Sequence, residues 1–377
     1  MFKAWRPPPE PFLLRHGLWL WPGAEPCDMN RLIIGSPDKS DLLLQMMVQD
    51  FEHGFTLIDP TGQLAPAIAD RVPVQLTEQT TCLDPADIAH PFGLNILEGV
   101  LEDDRHKVAK DICAYFDAMF PEGPTTLSRA RSNYALLNCL RLLLDTPQAT
   151  FLGITNLMTD SSYRTHCIEH CNDPVVLSFW IDEFPKWKAE DLLPLQSKLG
   201  ELLTSPLIRN ILGQSHSTFR FTGNLIVNLD RKEIGDQAAY LLGSLFISRA
   251  TGPVYINGLG FFASDHLASL FSEDRFTVSL DYLDQLPRKL QQAMLSIDDK
   301  TVFKTTEEDA ERLKHYVGVS NPAILTDLDP SEARNRAGVI EPTAPPATGR
   351  LEAITRRSRA RFTRPRSKVE RDIARQL

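Results

Sequence analysis

The hydrophobic pattern becomes regular at residue 31. In "RLIIGSPDKSDLLLQMMVQDF" three consecutive apolar residues, Leu32, Ile33 and Ile34, lead through a glycine and a polar turn into an apolar-rich helical stretch. The next apolar run, "GFTLIDP", ends on Asp59. Strand, short loop, helix and strand make a βαβ unit, and such units build parallel sheets. The period then changes. In "RHKVAKDICAYFDAMF" Val108, Ile112, Tyr115, Phe116 and Met119 recur at helical spacing, "ARSNYALLNCLRLLL" repeats it, and further helical segments follow as far as "SPLIRNILG". Short apolar runs return at "GNLIVNLD" (223–230) and "GPVYING" (252–258), separated by the helical "DQAAYLLGSLFISRA". Residues 275–282 and 300–305 predict two more strands.

The expected organisation is an extended N-terminal arm over 1–30 and an α/β core from 31–99 and 216–340. An all-α insertion fills 100–215, "EPTAPPATG" at 341–349 is a Pro-rich linker, and 350–377 is a basic helical tail around Pro365. There are no internal repeats.

Composition narrows the class. No apolar run approaches a membrane span, and the prolines and charges of "MFKAWRPPPEPFLLRHGLWLWPG" break the pattern of a signal peptide. Six scattered cysteines in 377 residues fit a reduced, cytoplasmic setting better than a disulfide framework. The net charge of −9 is uneven: from Arg350 onward ten Arg/Lys face three acidic residues, so the remainder carries −16.

The order of segments resembles the HerA-like DNA translocases and the conjugative (type IV secretion) coupling ATPases. The matching pieces are "LIIGSPDKSDLLLQMMVQD", "GFTLIDPTGQLAPAIADRVP", "HPFGLNILEG", the stretch from "LMTDSSYR" to "SFWIDEF", and "LQSKLGELLTSPLIRNILGQSHSTF". "GNLIVNLDRKEIGDQAAYLLGSLFIS", "DYLDQLPRKLQQAML", "EEDAERLKHYVG" and the tail continue the series, so it covers nearly the whole chain from about residue 30. The resemblance implies a RecA-like P-loop NTPase-type fold, a mostly parallel sheet with a large all-α insertion, and assembly into rings that act on DNA.

A working P-loop reads G-x-x-x-x-G-K-[ST], with backbone N–H groups around the phosphates, Lys on the β/γ-phosphates and Ser/Thr on Mg2+. Aligned on Lys39-Ser40, the first glycine position holds Ile33 and the second Asp38; aligned on Gly35, the loop is two residues short. Asp38 also places a negative charge where a triphosphate would sit, at a cost of several kcal/mol in a partly desolvated loop. "SPDKSD" reads as a turn, Pro37-Asp38, followed by a helix capped by Ser40 or Asp41 before it reads as a productive phosphate loop. The resemblance puts the Walker B strand at "GPVYINGLGFF", which ends in Asn257-Gly258 and carries neither the metal-orienting Asp nor the water-activating Glu. In a divergent but active translocase, carboxylates such as Asp59 would substitute at the metal. Asp182-Glu183 in "VVLSFWIDEF" imitates Walker B, but Pro174 suits a helix first turn and Phe179, Glu183 and Trp187 recur at helical spacing. The family's γ-phosphate-sensing residue is missing from "FTVSLDYLDQL", its Ser-Glu-x-Arg patch survives as Ser272, Glu273 and Arg275, and its Phe-Arg becomes Phe303-Lys304. Arg249 and Arg275 read as surface ion-pair residues before they read as arginine fingers.

The expectation is a pseudo-ATPase: a DNA-associated scaffold or ring subunit of a conjugation, mobile-element or phage-related system, with self-association or an active paralogue as partner. No resident cofactor is expected; residual ATP and Mg2+ binding at Gly35, Asp38, Lys39, Ser40, Asp59, Asn257 and Gly258 stays open, as do a divergent active translocase and a protein–protein module. Arg356, Arg357, Arg359, Arg361, Arg364, Arg366 and Lys368 are the candidate DNA contacts, or alternatively a dock for an acidic neighbouring protomer. In "HCIEHC" His166/His170 or Cys167/Cys171 could chelate, but no second ligand pair follows. His216 with Ser215 or Ser217 lacks an acid and an elbow motif.

Overall fold

Apolar runs with no alternation dictate strands covered on both faces, and a parallel sheet with helices on it is the arrangement that covers them. The computed structural model describes residues 29–36, 39–120, 126–273 and 275–376, with the backbone at Phe12–Leu13 and Trp19–Leu20. Of the arm expected over 1–30, β1 (Phe12–Leu13) pairs antiparallel with β2 (Trp19–Leu20); the remainder up to residue 28 lies outside the described residues.

The chain divides into two compact units. The first comprises residues up to Leu83, Phe221–Asp230 and Ala250–Arg356. It holds β3 (Arg31–Ile34), β4 (Thr56–Asp59), β5 (Thr80–Leu83), β6 (Asn224–Asn228), β7 (Val254–Ile256), β8 (Phe276–Leu280) and β9 (Asp299–Phe303). With β10 (Ala333–Asn335) and β11 (Gly338–Ile340) they form a nine-stranded sheet ordered β11-β10-β9-β3-β8-β7-β4-β6-β5. Pairing from β9 through to β5 is parallel; β10 runs antiparallel to both β9 and β11. The strands expected at 31–34, 56–59, 223–230, 252–258, 275–282 and 300–305 are therefore present; β5, β10 and β11 are additional.

Helix Ser40–Asp50 lays Leu43, Leu44 and Met47 against Phe51, Phe55 and Tyr255 in the core, and the Tyr255 hydroxyl donates to the Asp50 carboxylate at 2.5 Å. The Pro-rich stretch 341–349 carries no regular structure yet is fastened to this unit. Gln45 donates to the Thr343 carbonyl, Arg71 to that of Pro345, and Thr348 N–H to that of Asp70 at 2.7 Å.

The second unit comprises Asp84–Arg220, Arg231–Arg249 and the residues from Arg357 on. Its helix Arg105–Met119 packs on Thr126–Asp145 and Asp236–Arg249, and Thr126–Asp145 packs on Ala189–Thr204, around buried Ile112, Phe116, Leu140 and Leu199. Residues 174–186 are helical throughout. The Asp173 carboxylate accepts the N–H groups of Val175 and Val176 as the cap of Pro174–Ser178; a π turn (Phe179–Glu183) and a 3-10 turn (Phe184–Lys186) follow. Pro185 has no N–H to offer the carbonyl one turn earlier, and regular helix ends there.

The tail enters this unit as a strap. Thr363 forms an antiparallel bridge with Phe92, Arg364 N–H donates to the Pro91 carbonyl and Arg366 N–H to that of Ala89. Helix Arg366–Ile373 then buries Val369 and Ile373 against Leu152.

Glu98 and Asp117 are among the carboxylates of this unit that are held ionised. Burial pushes Glu98 up, but the Ser217 N–H at 2.7 Å and His216 Nδ1 at 2.8 Å outweigh it and set its pKa below the ordinary value. The Arg129 guanidinium, bound twice at 2.5 Å, lowers that of Asp117, and Asn133 adds a third hydrogen bond.

Two outcomes are expected. Gly35 sits at φ +116°, and a Cβ there would stand 2.7 Å from the Phe303 carbonyl oxygen and 2.8 Å from that of Lys304. Gly35→Ala should destabilise the sheet unit by about 2 kcal/mol or more in urea denaturation, because the backbone of Phe303-Lys304 at the end of β9 must move. A depressed carboxylate pKa contributes stability above the unfolded value, near 4, and loses it as pH falls through the folded value. Melting of the helical unit should therefore weaken as pH drops below about 4. Asp117→Asn should cost on the order of 1 kcal/mol at pH 7, discounted for exposure, and progressively less as pH falls below about 4 towards the folded value.

Candidate functional site

In an open parallel sheet ligands gather outside the carboxyl ends of the strands, where the connections diverge. The chain leaves β3 and returns in β4, with β8 and β7 lying between them. The four carboxyl ends bring together Gly35, Asp281, Asn257 and Asp59.

At the end of β3, Gly35 N–H donates to the Leu280 carbonyl at 3.0 Å and Ser36 N–H to the Lys304 carbonyl at 2.8 Å. Both donors face neighbouring strands rather than a phosphate. Lys39 is buried, and its Nζ donates to the Gly35 carbonyl at 2.6 Å and to Asp281 Oδ1 at 2.7 Å. Helix Ser40–Asp50 starts at Ser40; Lys39 occupies the N-cap position and its side chain makes no capping hydrogen bond. Asp38 lies outside the described residues.

Asp59 is fully buried. Its Oδ1 accepts Thr61 N–H, the Thr61 hydroxyl and Asn257 Nδ2; its Oδ2 accepts Leu64 N–H at 2.7 Å and Ala65 N–H at 2.8 Å, capping helix Leu64–Ala69. A carboxylate with five donors has no vacant lone pair for a metal unless bonds break. The Ser279 hydroxyl donates to Asn257 Oδ1 at 2.9 Å and accepts Gly258 N–H at 2.7 Å. Gly258 takes φ +77°, which a glycine adopts at no steric cost. At the ends of β4 and β7 the hydrogen-bond-saturated Asp59 thus sits in an amide–hydroxyl network with Asn257 and Ser279, while the second carboxylate of these strand ends, Asp281 after β8, is held by Lys39.

Asp281 is the residue that sequence reasoning passed over. Its signal was an acid directly after the five-residue apolar strand "FTVSL", read there as a missing sensor. Arg275 lies over the Phe276 ring and binds Glu273 and the Ala250 carbonyl, whereas Arg249 donates to the Glu98 carbonyl.

The tail cations are largely exposed but partnered within the chain. Arg359 meets Asp87 at 2.6 Å, Arg364 meets Asp372 at 2.5 Å, Arg366 meets Glu370 at 2.7 Å, and Arg356 stands 3.8 Å from Glu352. Arg364 and Arg366 hold Asp372 and Glu370 below their ordinary pKa values. Arg361 lies over the Phe362 ring; Arg357 is half-buried and Lys368 exposed. Surface pairs of this kind bind weakly, so the cations stay exchangeable toward a polyanion.

The remaining candidates separate. The His166 and His170 rings meet edge to face, centroids 4.6 Å apart, on an exposed face while Cys167 and Cys171 are buried, and among the described residues no three His, Cys, Asp or Glu are grouped for a metal. The Ser217 hydroxyl accepts Asn95 N–H rather than facing His216, so no nucleophile–base pair forms.

No family model matches the chain, and no curated protein matches it. Solved structures do. A bacterial conjugative coupling protein, TrwBdeltaN70 in its unbound form, is 13% identical with a TM-score of 0.54, over 90% of each chain. TrwB in complex with ADP and Mg2+ is 12% identical with the same TM-score, again over 90% of each chain. VirB4 of Thermoanaerobacter pseudethanolicus is 12% identical with a TM-score of 0.52, over 84% of this chain and 89% of that one. Across nine-tenths of its length, this chain has the α/β fold of the conjugative coupling protein TrwB.

Proposed function

We propose that this protein is a non-hydrolysing relative of the coupling ATPases that serves as a DNA-associated scaffold or ring subunit in a conjugative or related DNA-transfer system in the cytoplasm. The observation that carries the reading is the Lys39–Asp281 contact: the lysine that would meet a γ-phosphate already holds a carboxylate. The engaged N–H groups of Gly35 and Ser36, the capping role of Asp59 and the uncharged Asn257-Gly258 end support it. Any nucleotide must first displace Asp281 and then bind without an acidic metal partner at β7, which favours loss of turnover before loss of binding. Among the described residues no helix is long and apolar enough to cross a membrane.

Purified protein should show no Mg-ATP turnover that Lys39→Ala removes, and saturating Mg-ATP should raise the melting temperature by less than about 1 °C, since a ligand that binds the native state must raise it. A Lys39-dependent turnover would establish the divergent-translocase reading instead. DNA retention should be strongly salt-dependent. Replacing Arg356, Arg359, Arg361, Arg366 and Lys368 together with alanine should weaken it at least about tenfold at 50 mM salt and flatten the slope of log K against log salt. Absence of DNA binding at low salt by the intact chain would leave a protein–protein module.

A further inference from the structure

One exposed pair of side chains in the helical unit is used by neither the nucleotide-site reading nor the tail. His166 lies in the last turn of helix Ser161–Glu169, and His170 is its C-cap residue with helical backbone. Residues four apart on a helix share a side, so the two imidazoles are neighbours. Cys167 is fully buried, which fixes the rotation of the helix and leaves both histidines to solvent.

The spacing of the rings suits a shared ion. A metal lies about 2.0–2.1 Å from a ligating imidazole nitrogen, hence roughly 3.2 Å from the ring centre. Two rings on one ion, at an angle of roughly 90–110°, then have centres about 4.5–5.2 Å apart. The observed separation is 4.6 Å. The outer contact is also in place. His170 Nδ1 lies 2.9 Å from the His166 carbonyl oxygen. A carbonyl only accepts, so Nδ1 carries the proton, and in the neutral ring the lone pair is on Nε2. A ring N–H given to a backbone carbonyl is what metal-ligating histidines show, because it fixes the tautomer and raises the basicity of the other nitrogen. The His166 ring, apart from its contact with His170, has no hydrogen bond or ion pair among the described residues.

The helix dipole accounts for one basic side chain in the last turn. It does not account for a second ring at this distance, because like charges four positions apart repel. The donor set selects the ion. Imidazole nitrogen suits copper, nickel and zinc, whereas magnesium and calcium take oxygen ligands. Among the described residues no third His, Cys, Asp or Glu joins the pair, so a bound ion keeps positions open to solvent.

We propose that His166 and His170 form a two-imidazole site for a late first-row divalent metal ion, Cu2+, Ni2+ or Zn2+. His170 binds through Nε2, and the ion ties the C-cap of the helix to its last turn. The inference goes beyond the nucleotide reading and shares no residue with the Lys39 site or the tail, so either can fail alone.

The test uses the full chain without an affinity tag. Equilibrium dialysis should show one Ni2+ per chain, saturable below about 0.1 mM, with Cu2+ held more tightly and Mg2+ not retained. His166→Ala and His170→Ala should each weaken Ni2+ binding at least about tenfold, because one imidazole in place of two loses the effective concentration of the second. The melting temperature without metal should not change, since both side chains are exposed. Thr165→His combined with His166→Ala keeps the nine histidines of the chain but sets the rings five positions apart, on different sides of the helix. It should bind no better than His166→Ala. Loss of the site in both single variants and in the double variant supports the proposal. No saturable Ni2+ binding, retention of Mg2+ alongside Ni2+, indifference to either single substitution, or full binding by the double variant overturns it.

Discussion

A phosphate cradle depends on polar groups that stay without protein partners until the ligand arrives. Burial works against this, because an unpaired N–H or ammonium inside a protein costs several times what an ordinary hydrogen bond returns. At the end of β3 the balance has settled on the protein's side: Gly35 and Ser36 give their N–H groups to adjacent strands, and Lys39 gives its charge to Asp281. The same rule organises the next strand ends, where the Asp59 carboxylate, instead of facing a metal, closes the first turn of a helix. The edge of the sheet is therefore a finished hydrogen-bonded surface.

Fold and site separate cleanly in this chain. An identity of 12–13% is compatible with a TM-score near 0.54 because the sheet asks only for buried apolar runs of the right length and order. The chemistry at the strand ends asks for particular atoms at particular places, and so can change while the fold stays.

The strands that were legible are those whose burial is continuous: β3, β4, β6 and β7 carry consecutive apolar residues, and β8, Phe-Thr-Val-Ser-Leu, is buried at all five positions. β5, "TTCL", follows a polar stretch at the sheet edge, and β10 and β11 are three-residue strands with little apolar content, so periodicity had nothing to register. The helical character of Asp182-Glu183 was legible because Pro174 and the aromatic spacing both mark a helix. The role of Asp281 was not: one acid after a strand carries no signal until β8 is known to lie beside β3. Nor were the tail's partners, since Ala89 and Pro91 contribute carbonyl groups, which every residue has.

The strap formed by residues 363–366 has a bearing on how the molecule is made. Its partners, Ala89, Pro91 and Phe92, emerge from the ribosome long before it does; the helix beyond it covers Leu152, and the Gln376 carbonyl after that helix accepts from the Asn156 amide, 220 residues away. Contacts of that span are slow to close, and the surfaces they cover stay open meanwhile. Until residues 363–373 dock, Leu152 lacks the two buried apolar side chains, Val369 and Ile373, that cover it in the folded unit, so the basic segment that faces solvent is also the one that closes this apolar seam.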